Sequence, residues 1–132
     1  MNIDYSPSAI LAASERSRDH RQQYRVWDAA DGSPPPTFDE LRYELLIDKG
    51  TLDALLYDST ERLVAYCGSL HFCMRPDGRT SPLLVHFSDD EFRAELLEAA
   101  FPPDRWRVES SELDTELDRG TYCYTVRADA GE

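Results

Sequence analysis

Alternating apolar and polar residues are most regular in the second half of the chain. Over residues 106–108 and 121–126, aromatic residues and valines alternate with charged or small polar neighbours. This period of two is typical of a β-strand with one buried face. Residues 83–87 are apolar on both faces apart from one histidine, a pattern that predicts a strand near the centre of a sheet. These three segments predict the main strands of the fold.

A fourth strand is predicted over residues 63–74, where apolar side chains recur on one face and Gly68 marks a bulge. The Pro-Asp-Gly sequence at 76–78 is a turn signal, so we expect residues 63–74 and 83–87 to pair as an antiparallel hairpin. A capping-box pattern at 88–91 then predicts a helix over 91–101. Its predicted buried stripe includes Phe92, Leu96, Leu97 and Ala100.

The first half of the chain gives weaker signals. Ser6 and Pro7 have the residue types of a helix start, which predicts a helix over 6–24. Three consecutive prolines predict an extended linker over 31–36. Residues 38–48 fit either a helix or a strand, and we favour a helix that stops at Gly50, followed by a short helical stretch over 52–56.

Composition places the whole chain, residues 1–132, in one domain. We predict an α+β fold, with an N-terminal helix and an antiparallel sheet of about four or five strands packed against one or two helices. No apolar run approaches the length of about 18 residues that is needed to cross a bilayer. Residues 1–5 lack the basic and apolar residues of a secretory signal peptide. An odd number of cysteines in such a chain predicts reduced thiols and a cytoplasmic location.

Charge is the strongest functional signal. Aspartate and glutamate total 26 against 14 lysines and arginines, a net charge of −12. Binding a nucleic acid requires cations that replace the phosphate counterions, so we predict no nucleic-acid partner. A strongly acidic surface favours a basic protein partner, because complementary charge speeds association. Adaptation to salt is an alternative source of the same acidity.

Cys67, His71 and Cys73 share one face if residues 63–74 form a strand. Thiolate and imidazole ligate zinc, and His86 or Cys123 would complete a tetrahedron. The spacing matches no established zinc motif, so we predict no metal, no cofactor and no catalytic residues. A small enzyme or an accessory subunit that uses this face remains an alternative.

Residues 109–118, the acidic segment, hold five acids and no base. A solvated loop is one interpretation of such a block, and an anionic surface for a basic partner is the other. Aromatic residues beside it would supply buried anchors. The predicted partner-binding residues are Glu109, Glu112, Asp114, Glu116, Asp118, Trp106 and Tyr122.

These observations predict a small acidic binding protein, of the inhibitor or immunity type, that neutralises a basic protein partner. A housekeeping domain adapted to salt is a further alternative, and the oligomeric state stays open.

Overall fold

The computed structural model describes residues 1–35, 43–113 and 120–129, which form an α+β fold of four helices and six strands. The strands are β1 (Asn2–Asp4), β2 (Tyr24–Val26), β3 (Leu45–Lys49), β4 (Leu83–Ser88), β5 (Trp106–Leu113) and β6 (Thr121–Ala128). The helices are α1 (Pro7–Arg16), α2 (Thr51–Leu56), α3 (Thr60–Cys73) and α4 (Arg93–Ala100). Within these ranges, no helix combines the length and the apolar character that a membrane span requires.

Two sheets are present in the described residues. The larger has the strand order β3-β4-β6-β5, in which β3 and β4 run parallel and the other neighbours are antiparallel. The smaller consists of the parallel strands β1 and β2, which α1 connects. The predicted strands over 83–87, 106–108 and 121–126 are confirmed, and β4 lies inside the larger sheet. The parallel β3–β4 pair makes this sheet mixed rather than antiparallel throughout.

The hydrophobic core lies on one face of the larger sheet. Alternate residues of the two inner strands point into it, including Leu84, Tyr124 and Val126. Helices α2, α3 and α4 cover this face, and Leu97 and Phe101 are fully buried beside the strands. The core therefore follows the period-two pattern of the strands and leaves their intervening side chains facing outward.

The predicted strand over 63–74 is wrong, because these residues form the helix α3. Ser59 caps the start of this helix, and its hydroxyl accepts a hydrogen bond from the amide of Arg62. Tyr66, Leu70 and Cys73 are buried at spacings of four and three, which is the helical period. The predicted hairpin with residues 83–87 is consequently wrong as well.

The favoured helix over 38–48 is wrong for its last residues, since Leu45–Lys49 is the strand β3. The earlier part of that prediction, and the end of the predicted linker, fall on residues 36–42, outside the described residues. Two other helices are shorter than expected: α1 ends at Arg16, and α4 begins only at Arg93. Phe92, predicted to be buried, is 70% exposed because it precedes that helix.

Candidate functional site

Buried polar side chains gather where the parallel strands β3 and β4 end. Ligands of open α/β sheets bind outside the carboxyl ends of parallel strands, so this group of side chains is a candidate binding site. We call it the strand-end cluster, and it consists of Asp48, Asp53, His86, Ser88 and Arg93. All but Asp53 are buried, and the side chain of Asp53 is 20% exposed.

The inner half of the cluster is a carboxylate–imidazole pair. Nδ1 of His86 donates to Oδ2 of Asp48 at 2.8 Å, and His86 has no exposed surface. The Asp48 carboxylate also accepts from the amides of Thr51 (3.1 Å) and Leu52 (3.4 Å), at the first turn of α2. Gly50 makes this contact possible, because the chain turns there with a φ of 89°, in the left-handed region that favours glycine. Asp48 therefore fixes both the imidazole and the start of α2.

The outer half is built around Asp53, which projects from α2. Its Oδ1 accepts from Arg93 at 2.8 Å and from the Ser88 hydroxyl at 3.1 Å. Arg93 also lies 3.3 Å from a carboxylate oxygen of Asp90, whose side chain is 35% exposed. Two strands and two helices are thus held together by charged groups.

Two nitrogens in the cluster have no hydrogen-bond partner among the described residues: Nε2 of His86 and Nε of Arg93. Nε2 lies 3.7 Å from Oδ1 of Asp53, which is beyond hydrogen-bonding distance. Buried polar atoms are rarely left unsatisfied, and such atoms point to strain, function or a bound group.

Two tyrosines border the cluster. The hydroxyl of Tyr124 donates to the carbonyl oxygen of Asp90 and accepts from the amide of Arg93 at 3.2 Å. Burial raises the pKa of Tyr66 strongly, and the nearby charge of Asp48 and a hydrogen bond with it add to the shift. Burial likewise raises the pKa of the Cys67 thiol, with a smaller contribution from Asp48. These side chains stay protonated at neutral pH and therefore add no negative charge to that of the cluster.

The cluster and its neighbour Asp90 carry three carboxylates against one guanidinium. The excess negative charge favours a cationic ligand or a hydroxyl group that donates hydrogen bonds, and it disfavours phosphate. Asp53 and Asp90 reach solvent and are the groups that a ligand would meet first. Asp48 and His86 lie behind them and are buried.

The predicted partner-binding residues are only partly described. Glu109 and Glu112 lie on β5 and are exposed, whereas Asp114, Glu116 and Asp118 fall in 114–119, outside the described residues.

Tyr122 is paired with Glu112 across the β5–β6 ladder. Its pKa is raised first by burial and then by the charges of Glu112 and Glu91. Trp106 is half-buried, and the centroids of its ring and the Phe101 ring are 5.1 Å apart.

The prediction that Cys67, His71 and Cys73 share one strand face is wrong, because these residues lie on the helix α3. Cys67 and His71 lie four residues apart on one side of α3, while Cys73 is buried elsewhere around the helix, so the shared strand face does not exist. His71 donates through Nε2 to the carbonyl oxygen of Ala100 and stacks on Phe101 with ring centroids 4.4 Å apart. His71 therefore packs α3 against the end of α4.

Sequence reasoning missed the strand-end cluster. The sequence signal for this cluster is a polar residue within or just after an apolar run. His86 lies inside the run 83–87, and Asp48 directly follows Leu45–Ile47. Such residues in buried strands need partners, and the sequence does not say which residue that partner is.

The chain is 27% identical, over 136 aligned residues and 96% of its own length, to a protein of Neurospora crassa named Methyltransferase srdJ. The chain spans 55% of the length of that relative. No family model matches the chain.

Proposed function

We propose that the chain is part of a methyl-transfer enzyme, in which the strand-end cluster contacts the methyl donor. The observation that carries the proposal is a buried, negatively charged cluster at the carboxyl ends of two parallel strands. The similarity to a protein named as a methyltransferase, along almost the whole chain, supports the same reaction class.

The chemistry of the cluster fits such a donor. A sulfonium methyl donor carries positive charge on sulfur and on its amino group, and its ribose offers hydroxyl donors. The carboxylates of the cluster complement these groups and disfavour competing anions. Asp53 and Asp90 are the accessible carboxylates, and Arg93 orients both of them at 2.8 and 3.3 Å. Asp48 and His86 then keep α2, and with it Asp53, in place.

The proposal is tested by binding of S-adenosylmethionine to the isotope-labelled chain, followed by NMR. We expect shifts of the amides of residues 48–53 and 88–93. Asp53→Asn, which keeps the shape of the side chain and removes its charge, should weaken binding about tenfold, the loss expected for one charge-assisted contact.

Asp58→Asn is the matched control. Asp58 lies two residues beyond α2, and its 60% exposed side chain pairs with Arg62 rather than with the cluster. The titration is repeated in the presence of the part of the Neurospora crassa protein that the chain does not span. Absence of shifts at these amides in both samples, or equal binding by Asp53→Asn and wild type, contradicts the proposal.

A basic protein partner stays a second proposal, favoured by the exposure of Glu109 and Glu112 on β5. Charged residues on an edge strand also prevent unwanted strand pairing, which is the alternative explanation of the same exposure.

A further inference from the structure

Two buried nitrogens of the strand-end cluster have opposite hydrogen-bonding roles. Nδ1 of His86 donates to Asp48 at 2.8 Å, so in the neutral imidazole the other nitrogen, Nε2, carries the lone pair and is an acceptor. Nε of Arg93 carries a hydrogen and is a donor. Neither nitrogen has a hydrogen-bond partner among the described residues, although His86 has no exposed surface and the side chain of Arg93 is only 8% exposed. The interior of the cluster therefore holds one unsatisfied acceptor and one unsatisfied donor.

Both nitrogens lie close to the same atom, Oδ1 of Asp53. Nε2 of His86 is 3.7 Å from it, and Nη2 of Arg93 donates to it at 2.8 Å. Nε–H and Nη2 lie side by side along one edge of the planar guanidinium, so the Nε–H bond is directed to the same side as the bond to Asp53. The unsatisfied acceptor and the unsatisfied donor thus belong to one small region of the cluster.

The contact between Nε2 of His86 and Oδ1 of Asp53 has the length of a bridged contact. At 3.7 Å it is too long for a direct hydrogen bond, and a lone pair is not attracted to a carboxylate oxygen. Polar contacts longer than about 3.5 Å are candidates for a bridging water. An oxygen about 2.8 Å from both atoms fits beside the line that joins them, and this is an ordinary hydrogen-bond length.

The surroundings of His86 lie within the described part of the chain. β4 is an inner strand, flanked by β3 on one side and β6 on the other. The residues beside His86 in the two ladders are Asp48 and Tyr124, and the rings of His86 and Tyr124 are 5.9 Å apart. The hydroxyl of Ser88 donates to Asp53 at 3.1 Å, and that of Tyr124 donates to a backbone carbonyl. The hydroxyl groups next to the imidazole thus have partners of their own.

The two unsatisfied atoms select one kind of group. An ammonium donates to Nε2 but accepts nothing from Arg93, and a carboxylate accepts from Arg93 but donates nothing to Nε2. The oxygen of an O–H group does both. Because both nitrogens are buried, the group must also be small, and water is the small hydroxyl compound that proteins bind at such sites.

We propose that one water molecule is bound between His86, Asp53 and Arg93. It donates one hydrogen to Nε2 and the other to the Asp53 carboxylate, and it accepts from Nε–H of Arg93. Three partners are typical of an internal water. The water links the buried imidazole to Asp53, whose side chain reaches solvent. This site is complete without a methyl donor and does not rest on the proposed function.

The test is NMR of the full chain, labelled with ¹⁵N and free of ligands. We expect the imidazole of His86 to carry its proton on Nδ1 and none on Nε2. His71 is a reference in the same spectrum, because its Nε2 donates to the carbonyl oxygen of Ala100 and its ring has the opposite tautomer. A water-selective spectrum should show a cross-peak between a long-lived water and the Nε–H of Arg93.

Asp53→Leu removes the carboxylate that anchors the water and keeps a side chain of similar shape. It should abolish the cross-peak at Arg93. Ser88→Ala is the matched control, since it removes another donor to Asp53 but none of the three proposed partners of the water, and it should retain the cross-peak. If Asp53→Leu does not fold, the spectra of the wild-type chain decide the proposal alone.

Three results would overturn the proposal. The first is a proton on Nε2 of His86, which would allow a direct bond to Asp53 in place of a bridge. The second is the absence of a long-lived water at Nε–H of Arg93, and the third is a cross-peak that Asp53→Leu leaves unchanged. The spectra are recorded without a methyl donor, so this proposal and the proposed function fail independently.

Discussion

Replacing Asp48 with alanine should be among the most destabilising single changes in the chain. Three donors lose their acceptor together: the imidazole Nδ1 of His86 and the amides of Thr51 and Leu52. A buried donor left without a partner costs about 1–3 kcal/mol, and loss of a carboxylate at a helix start costs about 0.5–2 kcal/mol. The expected loss in the free energy of unfolding is therefore about 2–5 kcal/mol.

The assay is urea unfolding followed by tryptophan fluorescence, with the slope of the transition compared between variants. Asp58→Ala is the control, because that exposed carboxylate pairs with Arg62 at 3.3 Å and a surface pair is worth at most about 1 kcal/mol. Asp48→Asn keeps one acceptor oxygen and should fall between the two. If Asp48→Ala costs no more than Asp58→Ala at an unchanged slope, Asp48 is not the anchor of the cluster.

Three further predictions concern other parts of the chain. Leu97→Ala should lower the free energy of unfolding by about 2–5 kcal/mol in urea, because Leu97 is 1% exposed. Leu96→Ala should lower it less, because Leu96 is half-buried. Equal losses would contradict the packing of α4. Burial and Asp48 raise the pKa of the Cys67 thiol above its ordinary 9.0. The protonated thiol therefore contributes to the stability of the fold fully below the pKa of the unfolded chain, and this contribution is lost as the pH rises through the pKa of the folded chain. Cys67→Ala should flatten the fall in stability that begins near the ordinary thiol pKa of 9.0, and an unchanged profile would refute this assignment. A variant of the acidic segment should associate more slowly with a basic partner and show a weaker salt dependence, since exposed charges act over about 8 Å at physiological salt; wild-type rates at low salt would refute it. This last variant neutralises Glu112, Asp114 and Glu116.

The strands that the sequence predicted correctly are those whose burial is fixed by one sheet face. In β4, buried and half-buried residues alternate from Leu83 to Ser88, and β6 follows the same pattern around Tyr124 and Val126. Alternation is a local property, so a single sequence carries it. The partners of each strand are a long-range property, and the parallel pairing of β3 with β4 was not predicted.

The misassigned helix α3 shows where periodicity is ambiguous. Tyr66 and Leu70 are four residues apart, a spacing that satisfies both a strand and a helix. Cys73 decides in favour of the helix, because it is buried at an odd spacing from Leu70. The hydroxyl cap at Ser59 was a further helix signal, outside the segment used for the strand prediction.

The strand-end cluster had no local signature at all. Asp48 and His86 are 38 residues apart, and the pair exists only because β3 and β4 lie side by side in register. Asp53 meets Arg93 for the same reason, since each helix starts where one of these strands ends. An acidic chain with 26 carboxylates hides such a pair, because composition alone does not distinguish a buried aspartate from a solvated one.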